Sequence, residues 1–321
     1  MTSFQEFLQL FEEKFNVRHF PTEPASLYDP AQYILSLGGK RIRPVLCLMG
    51  NDLVNKINPD TWHVATAIEL FHNFTLIHDD IMDKAPLRRG METVHFRFGE
   101  STALLAGDVM LVAAYDYVNK INKDCLQKVI RLFNKTAKEV CEGQQLDMDF
   151  EKREKVSFDE YLNMIELKTS VALAASLQLG GILGGAGEGN QQHLYEFGKN
   201  LGIAFQVQDD YLDAFGDPEK FGKQVGGDIL SNKKTFLSIH AMEVATAAQL
   251  KALTDLNKSN EISKVEKVLD IYKATHADAW AKELKDKYYK IAMHHLEEIA
   301  VLSARKKPLM KLAEYLINRE H

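Results

Sequence analysis

The sequence predicts an all-α protein on three observations. Apolar residues recur mostly at three- and four-residue spacing, the period of a helix with one buried face. Only 8 prolines interrupt 321 residues. No alternating apolar run is bracketed by the Asn-Gly or Asp-Gly dipeptides of a tight hairpin. Ten or more helices are expected, forming a single domain over residues 1–321, because no stretch has the composition of an interdomain linker.

The first helix covers "MTSFQEFLQLFEEKF", where Phe4, Phe7, Leu8 and Phe11 share a face. Its early glutamates and lack of an uninterrupted apolar stretch distinguish it from a signal peptide. "RHFPTEPASLYDP" reads as a loop, and the proline of "GGKRIRP" starts the next helix. Helical spacing then runs through "VATAIELFHNFTLIHDDIMD", "TALLAGDVMLVAAYDYVN" and "QKVIRLFNKTAKEVCEGQQLDM". It continues in "FDEYLNMIELKTSVALAASLQLGGIL" and "QQHLYEFGKNLGIAFQVQDDYLDAF", and in one long stretch, 264–300. A last helix covers "PLMKLAEYLIN". "DKAPLRRGME", "LGGAGEGN", "FGDPEKFGKQVGG" and "ARKKP" read as loops and turns. The glycines of "GGILGGAGEGN" follow a helix with no strand before them, so they form a helix end and not a dinucleotide-binding loop.

Bulk numbers exclude several classes. A composition 45% hydrophobic and 26% charged is that of a globular protein. A net charge of −6 argues against a nucleic-acid partner. No run of about 18 apolar residues is present, so no membrane span is expected. Cys47, Cys125 and Cys141 lack metal-ligand spacing, and their odd number fits a reducing, cytoplasmic compartment.

The chemistry lies in two acidic clusters. "HDDIMD" places Asp79 and Asp83 four residues apart on one helix face, with Asp80 beside them. "QDDYLD" repeats the spacing with Asp209, Asp210 and Asp213. Like charges one turn apart repel unless a cation sits between them. One such cluster also describes a solvated helix end, but two with identical spacing, each after an apolar helical run, do not. An all-oxygen donor set selects Mg²⁺, with Mn²⁺ as its substitute, over zinc. Mg²⁺ takes one or two carboxylates and fills its remaining positions with water and substrate phosphates, so two facing acidic helices would hold a diphosphate. Basic residues alternate with the acidic ones: Lys40, Arg41 and Arg43, then Arg88 and Arg89, then Lys168, Lys223, Lys233 and Lys234. Guanidinium forks and ammonium groups of this kind bind phosphate oxygens. Acid for metal and base for phosphate suit a site for two diphosphates. His72, seven residues before Asp79, faces nearly the same way.

Taken together, "GGKRIRP", "DDIMDKAPLRRG", "GQQLD", "KT", "FQVQDDYLD", "FGKQVGGDI" and "NKKT" occur in the order and spacing of the trans-isoprenyl diphosphate synthases, which the chain resembles from about residue 30 to 320. The resemblance implies helices around a deep central cavity, a homodimer, and the condensation of isopentenyl diphosphate with an allylic diphosphate (dimethylallyl, geranyl or farnesyl), releasing pyrophosphate. It implies three Mg²⁺ ions, two on Asp79 and Asp83 and a third on Asp209, supported by Asp80, Asp210 and Asp213, with Gln144 and Asp147 nearby. By the same resemblance Arg88, Lys168, Lys223 and Lys233 contact the allylic diphosphate. Lys40, Arg43, His72 and Arg89 form the isopentenyl diphosphate site, and Thr169 and Gln206 stand beside the allylic cation. His78 reads as a wall of the site.

Two aspects of product choice follow. The first motif has only two residues between its aspartate pair and Asp83, where bacterial farnesyl synthases often have four, so the pattern resembles geranylgeranyl synthases. The growing chain is expected to stop against Phe71, Phe74 and Thr75, which lie about 12, 7.5 and 6 Å below Asp79 along the helix. The helical wheel favours Phe71 as the plug, and the resemblance favours Phe74 and Thr75. The rival readings are a class I terpene cyclase, which needs no second diphosphate site, and a non-catalytic subunit of a heteromeric synthase, which would lack motif aspartates.

Overall fold

The computed structural model describes residues 2–216, 226–259 and 261–318. Among the described residues the chain is all-α apart from one hairpin of two two-residue strands, and it forms two compact units. The first comprises Met1–Phe133, Ser176–Gln192 and Val301–Pro308; the second comprises Asn134–Ala175, His193–Ala300 and Leu309–His321.

In the first unit, α1 (Phe4–Phe15) opens with a capping box, Ser3 accepting from Glu6 N–H while the Glu6 carboxylate reaches back to Ser3. Phe7, Phe11 and Phe15 are its buried face. Next come α2 (Ala25–Ser36), α3 (Ile42–Val54) and α4 (Pro59–Met82). Asn58 caps α4 and Pro59 stands where its missing N–H costs nothing. α5 (Val94–Phe98) and α6 (Glu100–Val118) follow, with the first turns of α7 (Lys123–Glu151). Long α4 packs along α6 on one side and against α3 on the other. This leaves the last turn of α4, with its aspartates, at the end of a rigid and well-packed rod.

Helix α6 is long and apolar enough to cross a membrane by length and composition, the one such helix among the described residues, and 33% of that window is buried. Its outward side carries Leu104, Leu105 and Val112, which are exposed, but also exposed Asp108 and Asp116. Charges at mid-helix are costly in a bilayer, so this side suits a protein contact better than lipid.

In the second unit lie the rest of α7, then α8 (Phe158–Ile165), a π-helical turn at Glu166–Ser170, and the start of α9 (Val171–Leu183). α10 (Glu188–Phe215), in this unit from His193 on, is followed by α11 (Gly227–Leu230), α12 (Phe236–Val244), α13 (Ala247–Asn257), α14 (Lys264–Ala274), α15 (Ala277–Glu298) and α16 (Ser303–Asn318), the last in this unit from Leu309 on. The core of this unit gathers Tyr161, Met164, Val207, Phe236, Leu237 and Tyr272, all buried.

Four local expectations are corrected. Residues 25–30 belong to α2, with Pro30 buried inside it, so "RHFPTEPASLYDP" is a loop only in its first part. "ARKKP" lies within α16, and Arg305 Nη1 donates to Asp52 O at 3.2 Å. The stretch 264–300 is two helices, broken where His276 takes a left-handed backbone, φ 54°. A hairpin does exist: Leu87–Arg88 (β1) pairs antiparallel with Met91–Glu92 (β2). Its turn residues Arg89 (φ 55°) and Gly90 (φ 78°) both have positive φ, as a type I′ turn demands. The sequence signal was masked because arginine occupies the position that Asn or Asp usually fills.

Candidate active site

The first unit assembles most of the predicted residues of its half of the chain. Asp79 and Asp80 end α4 and Asp83 is its C-cap, donating N–H to Asp79 O at 2.8 Å. Asp80 is buried (2% exposed), and both its oxygens are taken by Arg88, at 2.8 Å from Nε and 2.7 Å from Nη2. This bidentate fork fixes the guanidinium plane of Arg88. Asp80 is thus engaged by an arginine, while Asp79 and Asp83 are the partly exposed and exposed carboxylates of the motif.

The basic residues of "GGKRIRP" divide by burial. Arg41, which has positive φ (47°), is buried and paired with buried Glu69; it also donates to Leu35 O at 3.0 Å and lies over the Phe15 ring at 5.0 Å. Asn73 donates to the same Glu69 oxygen at 3.0 Å. Arg41 therefore anchors the loop and is not available to a ligand. Arg43 Nη1 donates to His72 Nε2 at 3.2 Å, so that nitrogen carries no proton. Burial, and then the charges of Arg43, Arg89, Arg88 and Arg41, hold the His72 pKa well below its usual value. Arg89, strained at positive φ, donates to Gly38 O, and a Cβ on Gly39 would come within 2.9 Å of its Nη2. Glycine at 39 thus makes room for this guanidinium.

Along α4, Phe71 is buried, with its ring edge-on to Phe133 at 5.5 Å and tilted to Phe74 at 5.8 Å. Thr75 is half-buried and donates to His72 O at 2.8 Å. His78 is not a site wall. It packs on Phe74 at 4.7 Å and reaches Leu104 O on α6 at 3.2 Å, so it is a residue of the helix–helix contact.

In the second unit, "QDDYLD" ends α10. Asp210 is buried (4% exposed), and all its hydrogen bonds run inward: Gln206 Nε2 donates to Oδ1 at 2.9 Å, and Tyr161 O–H and Phe236 N–H donate to Oδ2 at 3.1 and 3.3 Å. Burial pushes its carboxyl up to about 6. Asp213 Oδ1 accepts Asp228 N–H at 2.9 Å, holding the start of α11. Asp209 is the half-buried first carboxylate of this motif. Lys168 is ion-paired with Asp147, and Lys233 Nζ lies 3.9 Å from Asp228. Lys223 lies outside the described residues.

Lys168 and Thr169 sit on the π-turn, which the sequence pattern did not reveal because a five-residue bulge leaves the apolar faces on either side intact. Such bulges cluster at functional sites. Gly143 on α7 and Gly202 on α10 press against the turn: a Cβ on Gly143 would lie 2.6 Å from Lys168 Cα, and one on Gly202 would lie 2.8 Å from Ser170 Cα. Among the described residues no three carboxylate, imidazole or thiol groups converge tightly enough to hold a metal ion.

Each unit thus carries an acidic helix end with basic side chains in the same unit. The Polyprenyl synthetase family model matches residues 24–275, and the chain belongs to that family. It is 37% identical over 304 residues to a geranylgeranyl diphosphate synthase of Methanosarcina mazei, covering 94% of this chain and 92% of that protein. Among solved structures it resembles a geranylgeranyl pyrophosphate synthase with a TM-score of 0.94 and 43% identity, over 100% of both chains. It also resembles the geranylgeranyl pyrophosphate synthetase of Pyrococcus horikoshii, with a TM-score of 0.93 and 35% identity, over 99% of this chain and 97% of that one. The all-α fold is thus that of the prenyl synthases.

Proposed function

We infer that the chain condenses isopentenyl diphosphate head-to-tail with an allylic diphosphate, releasing pyrophosphate and forming a short all-trans prenyl diphosphate, geranylgeranyl or farnesyl. The observation that carries this reading is the basic cluster of the first unit. There Arg43 is set by His72 and Arg89 by Gly38, around loop-anchoring Arg41. A class I terpene cyclase has no use for such a second diphosphate site, and a non-catalytic subunit would not keep all six aspartates.

The residues divide the work as follows. Lys40, Arg43, His72 and Arg89 bind isopentenyl diphosphate; His72, being neutral, serves as a hydrogen-bonding group and not as a charge. Arg88, Lys168, Lys223 and Lys233 draw the charge of the allylic diphosphate as its carbon–oxygen bond breaks with the electron pair leaving on oxygen. Asp79 and Asp83 of the first unit and Asp209 of the second would hold Mg²⁺, three ions with Mn²⁺ as substitute in this reading, which would supply Lewis-acid stabilisation of that leaving group. Asp80, Asp210 and Asp213 hold Arg88, the α12 start and the α11 start in place. Gln206, whose amide nitrogen donates to Asp210, and Thr169 stand beside the allylic cation in this reading. The isopentenyl π electrons form the new carbon–carbon bond, and a proton leaves. Phe71, Phe74 and Thr75 form the floor that limits chain growth.

The whole chain acts as one catalytic domain, paired with a second copy through the exposed apolar side of α6. That side spans Leu104, Leu105 and Val112, beside Phe96 of α5, which is 61% exposed. Three free cysteines support a cytoplasmic setting. The test is incubation with labelled isopentenyl diphosphate and each allylic primer in turn, followed by product analysis. Labelled C15 or C20 diphosphate supports the reading, and cyclic product without isopentenyl consumption refutes it.

A further inference from the structure

Asp210 belongs to the second acidic motif, yet its carboxylate faces away from solvent and joins three elements. Tyr161 O–H on α8 and Phe236 N–H at the start of α12 share its Oδ2, at 3.1 and 3.3 Å, and Gln206 holds Oδ1 at 2.9 Å. Tyr161 is 1% exposed and packs edge-on against the Phe236 ring at 4.7 Å, so it cannot touch a substrate. Its hydroxyl faces that carboxylate oxygen and donates to it.

Between α11 and α12 runs the short segment that carries Lys233. Its far end is tied to the same acidic helix: Asp228 N–H donates to Asp213 Oδ1 and Lys233 N–H to Asp228 O, each at 2.9 Å. From α14 the buried ammonium of Lys264 donates to Asn232 Oδ1 at 2.8 Å, steadying a residue with φ 55°. Asp210 is thus the joint between Asp209, its neighbour on α10, and the segment bearing Lys233.

We propose that Tyr161 is a positioning residue. Through Asp210 it sets the Asp209 carboxylate and the Lys233 ammonium on the same metal-bound diphosphate, which rests on the function inferred above. The physical reason is satisfaction of a buried carboxylate. With the Tyr161 hydroxyl present, Asp210 has inward donors on both oxygens and does not compete with Asp209 for metal. Removing that hydroxyl leaves Oδ2 with only the longer backbone bond, and a buried charge short of a donor rotates toward solvent.

The experiment compares wild type with Tyr161→Phe, which keeps the ring and removes one oxygen. Calorimetric binding of inorganic pyrophosphate in the presence of Mg²⁺ is measured together with steady-state kinetics. The expected result is a dissociation constant for pyrophosphate and a half-saturating Mg²⁺ concentration each raised about fivefold or more, while KM for isopentenyl diphosphate stays within twofold. Asp210→Asn should show the same pattern, and the double variant should be no worse than Asp210→Asn alone, because both act through one carboxylate. Asp210→Asn is also the readout should Tyr161→Phe fail to fold. Pyrophosphate binding within twofold of wild type overturns the proposal. So does a loss of kcat that merely follows the folded fraction with both affinities unchanged. The pyrophosphate arm does not depend on turnover, so a wild type that binds but makes no prenyl product refutes the inferred reaction and leaves this test intact.

Discussion

Gly143→Ala adds one methyl group where α7 meets the π-turn. The new Cβ would lie 2.6 Å from Lys168 Cα and 2.8 Å from the Leu167 carbonyl carbon, with Lys168 N nearer still, whereas ordinary contact begins at 3.4 Å. Every atom it meets is backbone, so no side chain can swing aside. The turn must retreat by roughly 0.6–1.1 Å to bring these atoms to ordinary contact. Overpacking of this kind costs about 1–3 kcal/mol. Gly→Ala in a helix otherwise gains about 0.5–1 kcal/mol, which offsets part of it. Stability therefore falls modestly, of the order of 2 °C in Tm per kcal/mol lost. Activity suffers more, because Lys168 and Thr169 move with the turn, and a misplacement of about 1 Å costs about 10²-fold in rate. The assay is kcat/KM for the allylic diphosphate alongside thermal unfolding, with Gly189→Ala as control, since a Cβ there meets nothing within 4 Å. A folded Gly143→Ala enzyme within twofold of wild type would falsify the claim that this close approach positions Lys168.

Asp79→Ala and Asp209→Ala should each lose at least about a hundredfold in turnover, consistent with several kcal/mol of metal-derived charge stabilisation, without loss of thermal stability. Full activity in the presence of a chelator defeats that expectation. Arg89→Ala removes charge-assisted hydrogen bonds worth about 1.5–3 kcal/mol; KM for isopentenyl diphosphate should rise about 10- to 150-fold, with the allylic KM little changed. Equal effects on both substrates refute the division of sites. Phe74→Ala should lengthen the product by at least one five-carbon unit, and Phe71→Ala should add to this while costing about 3–5 kcal/mol as a buried ring; unchanged products in both single variants and the double place the floor elsewhere. His72 has a depressed pKa when folded, because of burial and then the neighbouring guanidinium groups. Below about pH 6.5 the unfolded chain takes up a proton there and the folded chain does not, so stability falls by up to about 1.4 kcal/mol per pH unit on acidification. His72→Gln should flatten the slope of Tm against pH below 6.5, and an unaltered slope excludes this linkage.

The sequence by itself determined the all-helical class, because three- and four-residue periodicity is a local property of each segment. It also determined the acidic and basic inventory, because motif order and spacing survive without coordinates. What it left open is how residues of one motif divide their tasks. Asp79 and Asp80 are adjacent and chemically identical, as are Asp209 and Asp210. Burial alone separates Asp80, gripped by Arg88, and Asp210, gripped by Tyr161 and Phe236 N–H, from their half-exposed neighbours. Arg41 likewise sits between two ligand candidates yet spends its charge on Glu69. The hairpin at Arg89-Gly90, the π-turn under Lys168 and the break at His276 escaped the reading for a related reason. Arg89 is held at positive φ with its guanidinium on Gly38 O, and Gly143 and Gly202 press on the π-turn, so residues distant in the chain meet these two backbones. Only the tertiary structure supplies those partners.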